Sequence, residues 1–71
     1  MRASYEKYAR LRDEQDLTDY EVSQQSGVAA STLSNWKATV DERQAGYRPK
    51  IDSLARIAKV LRCDITDLIE E

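Results

Sequence analysis

The chain has 71 residues, of which 41% are hydrophobic and 34% are charged, and its formal net charge is −2. A chain of this length forms one small domain, so we expect residues 1–71 to share a single hydrophobic core. The composition is typical of a soluble globular chain rather than a disordered one, and no apolar run approaches the roughly 20 residues that a membrane-spanning helix needs.

The side chains that most often carry catalysis are missing or isolated. There is no histidine, which removes the commonest general base and the commonest metal ligand. Cys63 therefore has no histidine partner, and we expect a small buried hydrophobe there rather than a reactive thiol. We expect no enzyme activity, no cofactor and no metal. A single cysteine and the absence of a signal-peptide pattern favour a cytoplasmic protein.

Apolar spacing is helical along the chain and nowhere alternates with the period of two that a half-buried strand shows. Ser4 is placed to cap a first helix over about residues 5–15. Its inward positions are Tyr5, Tyr8, Ala9 and Leu11. Thr18 and Glu21 then form a T-x-x-E capping box, which predicts a second helix over about residues 18–25 with Val22 facing inward.

A glycine separates the second helix from the third. Gly27 is expected to end the second helix, because only glycine adopts the left-handed conformation just past a helix C-terminus without steric cost. Beyond it, the spacing predicts a third helix over about residues 29–38, with Leu33 and Trp36 on the inner side and Ala29 one turn earlier. Small side chains project from the opposite face. They are Ala30, Ser31, Ser34 and Asn35.

Residues 39–50 break the helical periodicity and contain Gly46 and Pro49, which predicts the longest loop of the chain. A fourth helix follows over about residues 50–62. Its core positions are Ile51, Leu54, Ile57, Ala58 and Leu61. Asp64 and Asp67 open a last short helix whose apolar side is Ile65, Leu68 and Ile69. The predicted fold is all-α, a compact five-helix domain.

Two blocks of the chain carry a family resemblance. The stretch LTDYEVSQQSGVAASTLSNWK resembles the helix-turn-helix of the phage-repressor DNA-binding family (Cro/cI-like, XRE). The stretch RPKIDSLARIAKVLRCDITDL is similar to the fourth and fifth helices of that family. The resemblance implies a lambda-repressor-like fold that binds double-stranded DNA and reads the major groove, which admits one helix, with helix 3.

The resemblance also implies which residues contact DNA. Base-reading positions fall on Ala30, Ser31 and Asn35, with Ala29, Thr32 and Ser34 nearby. Asparagine pairs with adenine, serine with either base class, and an alanine methyl packs on thymine. The candidates for phosphate contact are Thr18, Tyr20 and Gln24 at helix 2, and Lys37, Tyr47, Arg48 and Lys50 beyond helix 3. Judged from the residues alone, the same polar groups also suit a solvated helix face.

The chain departs from the family pattern at several places. The first position of helix 2, often glutamine in the family, is Asp19, whose charge is expected to repel phosphate. The N-cap serine usual for helix 3 is replaced by Ala29. Glycines expected after helices 1 and 4 are Asp16 and Arg62, and the loop after helix 3 is a few residues longer than usual.

The charge balance does not match the basic footprint typical of nucleic-acid binding, because the isoelectric point is near 5.1. The acidic charge is unevenly spread, however. Residues 29–50 carry four basic and two acidic side chains, whereas residues 1–28 and 51–71 each sum to −2. The acidic charge is thus concentrated away from the proposed binding face, with Asp19 and Glu21 as exceptions.

We expect a transcriptional repressor that acts as a weak homodimer on a pseudo-palindromic operator, with the dimer surface near Leu68 and Ile69 of the C-terminal helix. Glu70 and Glu71 would repel their symmetry mates and weaken the dimer. One alternative is the regulator of a restriction–modification or toxin–antitoxin operon. The other is a protein-interaction module that keeps the fold without binding DNA, which the acidic balance, Asp19 and the Ala29–Ala30 pair favour.

Overall fold

The structure, a computed structural model, describes residues 2–40 and 47–70. In this part of the chain four α-helices are followed by one 3₁₀ helix, and a short antiparallel ribbon joins the two ends. The elements in order are β1 Arg2–Ala3, α1 Tyr5–Glu14, α2 Asp19–Ser26, α3 Ala30–Ala38, α4 Ile51–Leu61, the 3₁₀ helix Ile65–Leu68 and β2 Ile69–Glu70. The predicted loop at residues 39–50 falls partly outside the described residues, since 41–46, Gly46 included, are not among them.

Local capping signals place the helix ends close to where the sequence predicts them. Ser4 Oγ accepts a hydrogen bond from the Lys7 amide at 3.3 Å at the start of α1. At the start of α2, Thr18 Oγ1 accepts from the Glu21 amide and Glu21 Oε1 accepts from the Thr18 amide, both at 3.1 Å. The capping box is therefore confirmed, and each group satisfies a backbone donor that the helix leaves free.

The predicted fifth helix is not confirmed as an α-helix: a short 3₁₀ helix, Ile65–Leu68, with the predicted Asp64 at its N-cap, stands in its place. Residues 65–68 form a single 3₁₀ turn, and the chain then extends as β2, in which Ile69 pairs with Ala3 and Glu70 with Arg2. The Ser4 amide also donates to the Leu68 carbonyl at 2.7 Å. A helix that continued beyond Leu68 would lose this pairing. Pairing with β1 therefore favours an extended conformation for Ile69 and Glu70. Strands of two residues carry no alternation from which a sequence could predict them.

One buried cluster joins all four α-helices and the 3₁₀ helix. Its members are Tyr5, Tyr8, Val22, Val28, Leu33, Trp36, Leu54, Ile57, Ala58, Leu61 and Leu68. Most predicted core positions are thus confirmed, and Ala9, Leu11 and Ile65 are partly buried against the cluster. None of the helices within residues 2–40 and 47–70 is long and apolar enough to cross a membrane.

Three core predictions need correction. Ile51 is 65% exposed, because it is the first residue of α4 and lies one turn beyond the edge of the core. Ala29 is exposed as the N-cap residue of α3. Cys63 is half-buried rather than fully buried. Burial, followed by the nearby carboxylates of Asp67 and Asp64, raises the pKa of the Cys63 thiol, which keeps it in the unreactive protonated form.

Candidate nucleic-acid interface

A turn of three residues, 27–29, joins α2 to α3 at the corner of the helix pair. Gly27 has φ of 78°, and its amide donates to the Ser23 carbonyl at 3.0 Å. Ser23 Oγ donates to the Val28 carbonyl at 2.7 Å, and the Val28 amide donates to Ser26 Oγ at 3.1 Å. The glycine was predicted, whereas the two serines that fix the turn were not.

The inner side of this corner is tightly packed. Val22, Val28, Leu33 and Trp36 are all buried, with Trp36 only 1% exposed. The prediction that these residues anchor the corner to the core is confirmed. Since both helices are short, this packing and the serine bonds hold α3 at a fixed angle to α2.

The outer side of α3 presents small side chains. Ala29, Ala30, Ser31 and Ser34 are exposed, whereas Thr32 and Asn35 are half-buried. Ala29 forms no side-chain cap at the start of the helix. The six predicted base-reading positions therefore belong to one short helix and its N-cap, and four of the six are open to solvent.

The predicted phosphate contacts fall into two groups. Thr18, Tyr20 and Gln24 are exposed on α2, and Tyr20 is 67% exposed at the second position of the helix. On the other side, Lys37, Arg48 and Lys50 are exposed around the end of α3 and the start of α4. Both groups are accessible to a polyanion that approaches the corner.

Tyr47 differs from the other candidates because it is partly buried and packs against the core. Tyr47 and Arg48 line a cleft of about 310 Å³ together with Val40 at the end of α3 and Arg2 and Glu6 at the start of the chain. The aromatic ring of Tyr47 thus has a packing role in addition to any role of its hydroxyl group.

A cluster of four polar side chains, here called the Asp19 cluster, joins α1 to the first residue of α2. It consists of Tyr5, Tyr8, Arg12 and Asp19. Asp19 Oδ1 accepts from the Tyr8 hydroxyl at 2.6 Å and from Arg12 Nη1 at 2.7 Å, and Oδ2 accepts from the Tyr5 hydroxyl at 2.8 Å. Arg12 Nη1 also donates to the Tyr5 hydroxyl at 3.0 Å. Both carboxylate oxygens are therefore bonded within the protein.

The electrostatics of the Asp19 cluster follow from these bonds. Burial acts to raise the pKa of Asp19, but hydrogen bonds from Tyr8, Arg12 and Tyr5 outweigh it and hold that pKa below its ordinary value. Burial and the Asp19 carboxylate raise the pKa of Tyr5 to about 12 and raise the pKa of Tyr8 as well. Asp19 is thus ionised and forms an ion pair with the Arg12 guanidinium, which also pairs with Asp13 at 2.8 Å.

Asp19 therefore forms an ion pair with Arg12 within the protein, and the expectation that its charge repels phosphate stays a prediction. The sequence missed its role because Arg12 lies seven residues earlier on another helix, outside any local pattern. The only available signal was Asp19 itself, an acidic residue at a position that often holds glutamine in the family that the sequence resembles.

Within the described residues, no group of acidic and cysteine side chains is arranged to hold a metal ion.

Comparison with known families agrees with this geometry. Residues 9–70 match the sequence profile of a family described as the Cro/C1-type HTH DNA-binding domain. The match includes the whole of α2, α3 and α4 and confirms the resemblance that the two sequence blocks indicate. No curated protein and no solved structure matched the chain.

Proposed function

The chain belongs to the family of Cro/C1-type helix-turn-helix DNA-binding domains, and from that premise we propose that it is a sequence-specific repressor that reads the major groove with α3. The observation that best supports this is the contrast between the two sides of α3. Leu33 and Trp36 are buried, whereas Ser31 and Ser34 on the other side are exposed. In the proposal, residues 1–71 act as one DNA-binding domain.

Base reading is assigned to the outer side of α3. Asn35 supplies an amide that forms a bidentate contact with adenine, and Ser31 supplies a hydroxyl that contacts either base class. The methyl group of Ala30 packs on the methyl group of thymine. The flanking positions Ala29, Thr32 and Ser34 complete the surface. Because these side chains are short, the backbone of α3 has to approach the bases closely.

Phosphate contacts hold α3 in register without reading sequence. The proposal assigns them to Thr18, Tyr20 and Gln24 on one side of the groove. On the other side it assigns them to Lys37, Tyr47, Arg48 and Lys50. Thr18 and Tyr20 offer hydroxyl and backbone donors near the positive end of the helix dipole, Gln24 offers a side-chain amide in the last turn of α2, and the second group offers three positive charges.

The net charge of −2 is compatible with this proposal because of how the charge is distributed. Two acidic residues lie beside the proposed phosphate contacts of α2: Asp19 forms an ion pair with Arg12 at 2.7 Å, and Glu21 accepts a hydrogen bond from the Thr18 amide at 3.1 Å. Lys37, Arg48 and Lys50 are exposed. We expect affinity that falls steeply with salt, as counterion release requires.

Two substitutions test the assignment of roles. Asn35→Ala should lose about 1–3 kcal/mol on the preferred operator and relax discrimination at one base pair. Lys50→Ala should weaken binding to all sequences alike and lower the salt slope by about one unit. Titration of both variants against a randomised operator library measures the difference. Identical behaviour of the two variants across the library would contradict the proposal.

A second candidate function is a protein-interaction module of the same fold, which the acidic net charge and the Ala29–Ala30 pair favour. Fluorescence anisotropy against a pool of genomic fragments, at low and at moderate salt, separates the two. The repressor requires salt-sensitive binding that survives competitor DNA. If neither salt dependence nor resistance to competitor is found, the interaction module replaces the repressor.

A further inference from the structure

We propose that Asp19 is a positioning residue for DNA recognition. Its carboxylate fixes where α2 begins relative to α3, and so fixes the distance between the side chains that contact phosphate and those that contact bases. This inference rests on the proposed function. It assigns a role to a residue that itself touches no DNA. The role follows from three features of the Asp19 cluster: its bonds, its aromatic neighbours and its place in the chain.

The bonds fasten the start of α2 to α1. Asp19 is the first residue of α2, and all three side-chain donors that its carboxylate accepts from, on Tyr5, Tyr8 and Arg12, belong to α1. Such charge-assisted bonds are among the stronger ones in proteins. The neighbours of Asp19 in sequence are Thr18 and Tyr20, two of the proposed phosphate contacts, so fixing Asp19 fixes them.

The aromatic neighbours fasten α3 to the same place. The Tyr5 ring meets the Trp36 ring edge to face, with centroids 5.6 Å apart and an interplanar angle of 85°. The Tyr8 ring lies 5.0 Å from the Trp36 ring. Trp36 directly follows Asn35 in α3. The two tyrosines thus contact α2 through their hydroxyl groups and α3 through their rings.

The consequence is a rigid link between the two DNA-contacting helices. The hydroxyl groups of Tyr5 and Tyr8 hold the Asp19 carboxylate, and their rings hold Trp36. Loss of the carboxylate charge weakens all three bonds at once. The start of α2 is then free to move relative to α3, although no proposed contact group has been removed. A misplaced contact set loses discrimination between sequences before it loses general affinity.

Two other roles for Asp19 predict different results. If its negative charge repelled the DNA backbone, neutralising it would raise affinity for every sequence. If Asp19 served stability alone, neutralising it would lower the melting temperature and leave the affinity of the folded protein unchanged. Only the positioning role predicts a fall in the ratio of specific to non-specific affinity.

The experiment compares Asp19→Asn with Asp13→Asn as a matched control. Both substitutions remove one negative charge and one partner of Arg12, but Asp13 lies on α1 with its side chain 68% exposed and, among the described residues, bonds no side chain of α2. Each protein is titrated with the preferred duplex and with a scrambled duplex, at low and moderate salt and well below its melting temperature. Nuclear magnetic resonance of the Trp36 indole reports on the link without DNA.

We expect Asp19→Asn to lose about tenfold on the preferred duplex and less on the scrambled one, a loss comparable to that of one base contact. Its Trp36 indole resonance should shift. Asp13→Asn should leave both the affinity ratio and the indole resonance as in the wild type. Tyr5→Phe removes one hydroxyl group and keeps the ring against Trp36, so it should lower the ratio of specific to non-specific affinity by a smaller factor. It replaces Asp19→Asn in the test if Asp19→Asn does not fold.

Three outcomes would overturn the inference. Equal or tighter binding of Asp19→Asn to both duplexes identifies charge repulsion instead. An unchanged affinity ratio with a lowered melting temperature identifies a role in stability only. If the wild type itself binds no duplex, the proposed repressor function fails and the inference fails with it. This outcome is distinct from the first two, because both of those require a wild type that binds DNA.

Discussion

At the scale of single residues, Trp36 is the largest fully buried side chain among the described residues. Trp36→Ala should lower the free energy of unfolding by about 3–5 kcal/mol, because it removes buried surface and leaves a cavity. A 71-residue chain has little stability to spare. Urea unfolding followed by circular dichroism measures the loss. A well-folded variant that had merely lost DNA affinity would mean that Trp36 reads bases instead.

Trp36→Phe is the control for that substitution. Within the described residues, the indole Nε1 of Trp36 is buried and has no hydrogen-bond partner. Phenylalanine keeps an aromatic ring beside Tyr5 and Tyr8 and removes an unsatisfied donor, which offsets part of the lost volume. The loss in stability should therefore be much smaller than for Trp36→Ala.

Arg62 has a backbone conformation that glycine adopts more readily. It ends α4 in the left-handed region with φ of 55°, where a side chain costs about 1–2 kcal/mol. Arg62→Gly should raise the free energy of unfolding by about 0.5–1 kcal/mol, since glycine's greater freedom in the unfolded chain takes back part of the gain. Arg62→Ala removes the same charge but keeps Cβ, so it should not stabilise. Equal thermal shifts for the two variants would point to charge as the cause.

At the scale of elements, the contact between α1 and α2 makes stability depend on pH in both directions. The pKa of folded Asp19 lies below its unfolded value of about 3.9, so its contribution is present above that value and is lost as the pH falls through the folded pKa. The pKa of Tyr5 is raised to about 12. Its contribution is therefore complete below its unfolded value of about 10 and disappears as the pH rises through the folded value.

Thermal melting across pH tests this contact. The gap in melting temperature between wild type and Asp19→Asn should close as the pH falls from about 6 towards 2, because a protonated aspartate resembles asparagine. The wild type should lose stability again between about pH 10 and 12. A gap that stays constant at low pH would show that ionised Asp19 does not stabilise the fold.

At the scale of the whole molecule, we expect a weak homodimer that the operator strengthens. One recognition helix reads too few base pairs to select a site in a genome, so we expect two chains on half-sites about one helical turn apart. The proposed surface at the C-terminal end offers little apolar area, since Leu68 is fully buried and Ile69 is half-buried in β2. Glu70 forms an ion pair with Arg2 at 3.1 Å, which reduces the repulsion expected from this residue.

Sedimentation velocity with and without operator DNA measures the assembly. The chain should sediment mainly as a monomer at low concentration and as two chains per duplex when the operator is present. A monomer at every concentration that binds the operator with one-to-one stoichiometry would contradict the dimer. Half-site spacing then provides an independent check, because a duplex with half a helical turn inserted between the half-sites should bind only one chain tightly.

The sequence by itself determined the helices, the corner and most of the core. Ser4, the Thr18–Glu21 box and Gly27 act on backbone groups within three or four residues, so their effects are local and can be read from a single chain. The burial of Leu33 and Trp36 follows from helical periodicity alone. The two sequence blocks around the corner and α4 likewise identified the family before any contact was known.

Only the tertiary structure decided the features that join distant segments. The pairing of β1 with β2 ends the last helix at Leu68 and places Ile69 in a strand, which the sequence did not predict because the pairing partner lies at the opposite end of the chain. Ile51 is exposed because the core ends one turn short of it. The Asp19 carboxylate became half-buried and hydrogen-bonded because folding carries α1 across the start of α2 and brings two tyrosines and Arg12 to it. A side-chain bond between helices depends on their packing, and packing is a property of the whole fold.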